Sequence, residues 1–295
     1  MTSSIMIDGS RPTSLPNAPR TAPRSGGRAP RLSFAGVLRS ERIKLASLRS
    51  IRITLATTLF LGLALSIMIA ALWSADVGTG GVIPVDPLGY QSYLLMVATF
   101  SAPFLALVFG VLGVFAISSE YSTGMILSTL AAVPRRTPVL VAKAAVTAVV
   151  AAITAGILVV GGLGIGVAFL PLAAPELGSV AVISGALGTI TYLACIALFA
   201  FGISALLRST AGGIAVVAGV TFVLPVVFQV LSLLEWEWVL TVSNVLPAAL
   251  GNTLAQGIVE PTGGLSFWGA LAAMLVWVAA ALIPASIAFA RRDAR

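Results

Sequence analysis

The sequence predicts an all-α integral membrane protein with six transmembrane helices and both termini in the cytoplasm. Three observations carry this expectation. Of the 295 residues, 58 % are hydrophobic and 9 % charged, with a mean hydropathy of +1.06. A soluble domain carries about 25 % charged residues, so lipid must act as the solvent for most of this surface. The apolar runs divide into spans at about 53–73, 91–118, 139–169, 180–207, 211–234 and 266–290, each long enough to cross a bilayer. That division also sorts the charges. All 17 Lys and Arg fall on one side: ten before the first span, then Arg135, Arg136 and Lys143, then Arg208, then Arg291, Arg292 and Arg295. The opposite loops hold only the acids Asp76, Asp86, Glu176, Glu235, Glu237 and Glu260. Basic residues mark the cytoplasmic side, and five or seven spans would place some of them outside.

The elements follow in order. Residues 1–31 are rich in Pro, Arg, Ser and Gly and read as a disordered cytoplasmic tail. From Phe34 to Arg52 the pattern is amphipathic: Phe34, Val37, Leu38, Leu45 and Leu48 share a stripe, with Arg39, Arg42 and Arg49 to one side. Such a helix lies in the inner membrane interface before the first span, its basic side chains snorkelling to headgroups. Glu41 falls inside the apolar stripe, so either it faces protein or the helix is interrupted there. Pro103 predicts a kink in the second span, and Pro225 and Gln229 fall within the fifth. Residues 235–265 are moderately apolar but contain Asn244, Pro247, Asn252 and Gln256. Counting them as a span would turn Arg291 and Arg292 outward. They read instead as short helices dipping into the outer leaflet, which requires cover from protein or a water cavity. Gly162 with Gly166, and Ser184 with Gly188, have the small-xxx-small spacing of close helix contacts, either within the chain or in a dimer.

Several chemistries are excluded or disfavoured. The net charge of +7 sits at the ends of apolar runs, which fits anchors for anionic lipid and not a nucleic-acid surface. Cys195 is the single cysteine, so no intrachain disulfide forms, and His is absent. Without His, the zinc and Ser–His intramembrane proteases lose a ligand or a base. The middles of the spans carry no Asp, Glu, Lys or Arg, against the buried ionisable group of most ion-coupled carriers. No phosphate-binding loop is present, so the chain cannot by itself be an ordinary ATPase. Uncharged side chains such as Thr54, Thr58, Ser101, Thr147, Thr191 and Gln229 remain to line a path.

Between the second and third spans lies Glu120-Tyr121-Ser122-Thr123-Gly124, continuing to Pro134-Arg135-Arg136 and Lys143. Its residues suit a short inner helix with polar ends, able to act as a lever on a soluble motor through Glu120 or Arg135. The same residues also suit a helix cap, for Glu120, and orientation anchors, for Arg135 and Arg136.

Here the chain resembles the ABC-2 type transporter permeases, the membrane subunits of ATP-driven exporters. The resemblance lies in RSERIKLASLRSIRITL at Arg39–Leu55, in EYSTGMILSTLAAVPRRTPVLVAK at Glu120–Lys143, and in the six-span plan with a large outer segment before the last span. It covers 31–295. It implies two permease copies, identical or related, above two separate ATPase subunits that bind ATP and Mg. It also implies a bacterial plasma membrane location and motor coupling through Glu41, Glu120, Tyr121, Gly124, Arg135 and Arg136. No cofactor is expected on this chain. Two other readings stay open: a motor-free immunity or regulatory membrane protein, and an ion-coupled carrier.

Overall fold

The structure is a computed structural model that describes residues 34–47, 49–78, 86–122, 136–259 and 264–291. It is helical, with no strand among the described residues, and six of its segments are long and apolar enough to cross a membrane. The predicted tail, 1–31, lies outside the described residues.

Helix α1 (Phe34–Ser47) is followed by α2 (Arg49–Gly78), the first span. Helix α1 is unbroken at Glu41. The second span is divided into α3 (Pro87–Thr99) and α4 (Ala102–Ser122). Asp86 caps α3 by accepting a hydrogen bond from the Gly89 amide at 3.0 Å, with Pro87 opening the first turn. The division at Phe100–Ser101 falls one turn before Pro103. Proline has no amide proton to give the Thr99 carbonyl, and its ring crowds that carbonyl, so regular helical bonding is interrupted there while Phe100 keeps helical backbone angles.

Helix α5 (Arg136–Phe169) forms the third span and leads into a 3-10 segment at Pro171–Gly178. The fourth, α6 (Val180–Leu207), is capped by Ser179 and closed by Arg208, whose φ of 51° is left-handed. It is the central element, packed against α4, α5 and the last span. The fifth span is α7 (Thr210–Ala218), a π-helical turn at Gly219–Val223 and α8 (Leu224–Leu231). The wide turn absorbs Pro225: the Leu224 amide donates to Gly219, five residues back. The last span is α11 (Phe267–Arg291).

Residues 235–259 contain no spanning helix. They form α9 (Glu237–Ser243) and α10 (Pro247–Gln256). Helix α10 lies against α6 and α11, with Leu250 and Leu254 fully buried. The indole N–H of Trp277 donates to the Val245 carbonyl at 2.9 Å, and the Ile258 amide donates to Ser184 Oγ at 2.8 Å. Protein therefore covers one face of α10, while most of α9 is exposed, with Trp236, Trp238 and Leu240 about half accessible.

Candidate functional site

Charge separates the two ends of the helices. Arg49, Arg52, Lys143 and Arg208 stand at one end of the spans, and Asp86, Glu176, Glu235 and Glu237 at the other. These are called the basic and the acidic end.

At the basic end, Glu41 is only 1 % exposed despite its charge. Its carboxylate accepts from Lys143 Nζ at 2.5 Å and from Lys44 Nζ at 3.0 Å. Lys143 is 4 % exposed and sits in the second turn of α5. A carboxylate here would be untenable without a partner. With two ammonium groups on its two oxygens it is well paired, and both partners gain a fixed geometry. The anomaly in the apolar stripe therefore has a cause: Glu41 faces protein, and that protein is the chain's own third span. Leu38 packs against the core of the bundle, while Arg39, Ser40, Arg42 and Ile43 are exposed.

Nearby, the guanidinium of Arg208 lies over the ring of Tyr121, 5.6 Å from its centroid. This joins the last turn of α4 to the left-handed cap of α6. Arg208 was expected only as an orientation anchor; it also stacks on a candidate residue, a geometry suited to cation–π attraction. The backbone of Glu120 belongs to the last turn of α4, and Arg136 opens α5. The side chains of Glu120 and Arg136, and all of Gly124 and Arg135, lie outside the described residues.

The small residues sit at contacts within the chain. A Cβ on Gly162 would come within 2.7 Å of the Ala98 backbone, and one on Gly166 within 3.2 Å of Leu94. One on Gly188 would overlap the Leu254 carbonyl of α10. Ser184, in the same run, receives the Ile258 amide. Helix α10 thus seats itself on the bare backbone of α6.

Toward the acidic end, a cavity of about 750 Å³ opens between α3, α4, α6 and α10. Leu95, Met96, Phe100 and Phe104 form its apolar wall, and Asn252 and Gln256 its polar one. Tyr192, 2 % exposed, meets it from beneath, its ring against Gly251. A second cavity of about 320 Å³, between α8, α9 and α10, also reaches Asn252. Phe100, at the interruption of the second span, lines the first cavity. Sequence reasoning noted Asn252 and Gln256 as unusual in an apolar run but had no signal that would pair them with residues near 100. Among the described residues no cluster of His, Cys, Asp or Glu is arranged to hold a metal ion.

No protein-family model matches the chain, and no curated protein is found to be similar to it.

Proposed function

We propose that this chain is the permease subunit of an ATP-driven exporter in a bacterial plasma membrane, working beside a second permease copy and above separate ATPase subunits. The observation that carries the reading is the Glu41–Lys143 pair. It fixes α1 to the second turn of α5, close after the segment 120–136 that resembles the inner loop of ABC-2 type permeases. A helix lying along the inner face and clamped to a span gives a soluble motor a handle that moves the span with it. The Arg208–Tyr121 contact extends the same frame to α4 and α6.

In this reading the basic end is cytoplasmic and α1 is the interfacial helix. ATP and Mg bind the partner subunits, since this chain has no phosphate-binding loop. The apolar face of the fifth span, with Val223, Val226, Val227 and Val230 exposed, is covered by lipid or by the second copy. Cargo passes through the bundle and leaves at the acidic end.

A mild-detergent pull-down of the tagged chain from its native membranes, with mass spectrometry, tests this. The expected result is recovery of a soluble subunit with a phosphate-binding loop, lost in Glu120→Ala or Gly124→Trp while the variant chains still insert. A preparation free of any ATPase contradicts the proposal. Transport that survives ATP depletion and stops with an uncoupler would then identify an ion-coupled carrier, and no transport a motor-free regulatory protein.

A further inference from the structure

We propose that the two cavities meeting at Asn252 form one binding site for an uncharged amphipathic molecule; as a statement about cargo, this rests on the exporter reading above. The larger cavity is within the range of small-ligand pockets, roughly 300–1,000 Å³. It lies beside residues 95–104, about 12 to 25 Å along the second span from Pro87. In the six-span reading that depth lies within the bilayer, where the cavity opens to the protein surface beside the exposed Met96 and Phe104.

The polar groups fall into two sets. Three hydroxyls near the cavities bond to their own helices: Thr99 donates to the Leu95 carbonyl at 2.8 Å, Ser232 to Gln229 at 2.7 Å and Ser243 to Leu240 at 2.9 Å; Ser92 and Tyr192 also line the larger cavity. The side-chain amides of Gln229, Asn244, Asn252 and Gln256 have no hydrogen bond to another described residue. Each offers two donors and one acceptor. They run through both cavities, with Asn252 common to the two.

The chemistry of the occupant follows from what the walls can satisfy. Among the described residues no carboxylate, ammonium or guanidinium lines either cavity, so a permanently charged head would be desolvated without a counter-charge from them. A bare hydrocarbon would fit the Leu95–Phe104 wall but offer nothing to the amides, which are exposed and open to an incoming partner. A molecule with an uncharged, hydrogen-bonding head and an apolar tail satisfies both walls: tail against Met96, Phe100 and Phe104, head among the amides.

The test uses the full chain in lipid nanodiscs without any ATPase. The probe is a monoacylglycerol carrying a photoreactive diazirine in its acyl chain, compared with a fatty acid and an alkyltrimethylammonium of the same chain length. Crosslinks are mapped by peptide mass spectrometry. The expected result is labelling concentrated at 92–104 and 249–259, with the charged probes weaker by about fivefold, on the order of one hydrogen bond. Asn252→Leu combined with Gln256→Leu lowers labelling by about the same factor. Asn252→Asp shifts preference toward the cationic probe. Met96→Trp, which fills the apolar side, lowers labelling by all three probes while helix content and elution stay unchanged. Labelling spread evenly over lipid-facing residues such as Val226 and Val230, or indifferent to the Asn252 variants, overturns the proposal. So does equal labelling by charged and uncharged probes. Because no motor is present, failure of the exporter reading would leave this result standing, and failure here would leave that reading intact.

Discussion

Glu41 and Lys143 lie 102 residues apart and meet in a buried ion pair that ties the first helix to the third span. Such a pair adds little net stability, because desolvating two charges offsets most of their attraction. Removing one partner is costly, because the other charge is then buried alone. The pair therefore acts mainly to specify where α1 sits.

From this it follows that Glu41→Gln and Lys143→Met each destabilise the protein by about 3 kcal/mol, with Lys44 softening the first loss less than the second. The exchange Glu41→Lys with Lys143→Glu recovers part of the difference, because Lys44 then faces an ammonium instead of a carboxylate. Thermal unfolding in detergent gives the comparison; additive losses in the double variant would show that the two side chains do not act as a pair.

Glycine contacts give a graded prediction. Gly188→Leu drives a side chain into the Leu254 carbonyl, and Gly162→Leu drives one into the Ala98 backbone, each costing about 1–3 kcal/mol or more. Gly164→Leu meets open space and leaves stability within about 0.5 kcal/mol. Elution and melting of the three variants should separate in that order.

The Arg208–Tyr121 contact is tested by ring chemistry. Tyr121→Phe keeps the aromatic face, and Tyr121→Leu loses about 0.5–1 kcal/mol relative to it. Equal melting of the two would mean that apolar bulk alone is needed there.

Ser184→Ala removes the acceptor of the Ile258 amide and leaves α10 otherwise in place. A loss of about 1 kcal/mol is expected, with faster amide exchange confined to residues 257–259. Unchanged exchange at Ile258 would show that Ser184 does not hold this segment.

Much of the fold could be read from the sequence because spanning helices are encoded locally. Val180–Leu207 has the expected bounds, and the other spans differ mainly by a turn at their ends, where hydropathy fades before the helix does. Pro103 announced an irregularity in the second span, and regular bonding is interrupted beside it at Phe100–Ser101; Pro225 carried no such expectation and is absorbed by a wide turn. The site was less legible. Glu41 stood out as a charge in an apolar stripe, yet its partner is set by tertiary contact. Likewise, nothing local to Asn252 says that α10 lies on Gly188 and faces the break at Phe100. Gly124 and Arg135, which carried the resemblance, lie outside the described residues, so the lever idea rests on their chemistry and on the brace beside them.

The most direct test of the account is ATP hydrolysis by the chain co-purified with its partner and reconstituted in liposomes, alongside the Glu41 and Lys143 variants. The account predicts hydrolysis that depends on the presence of this chain, falls in Glu41→Gln without loss of the bound partner, and returns in the charge exchange. A chain that purifies with no ATP-hydrolysing partner, or hydrolysis indifferent to the pair, would contradict it.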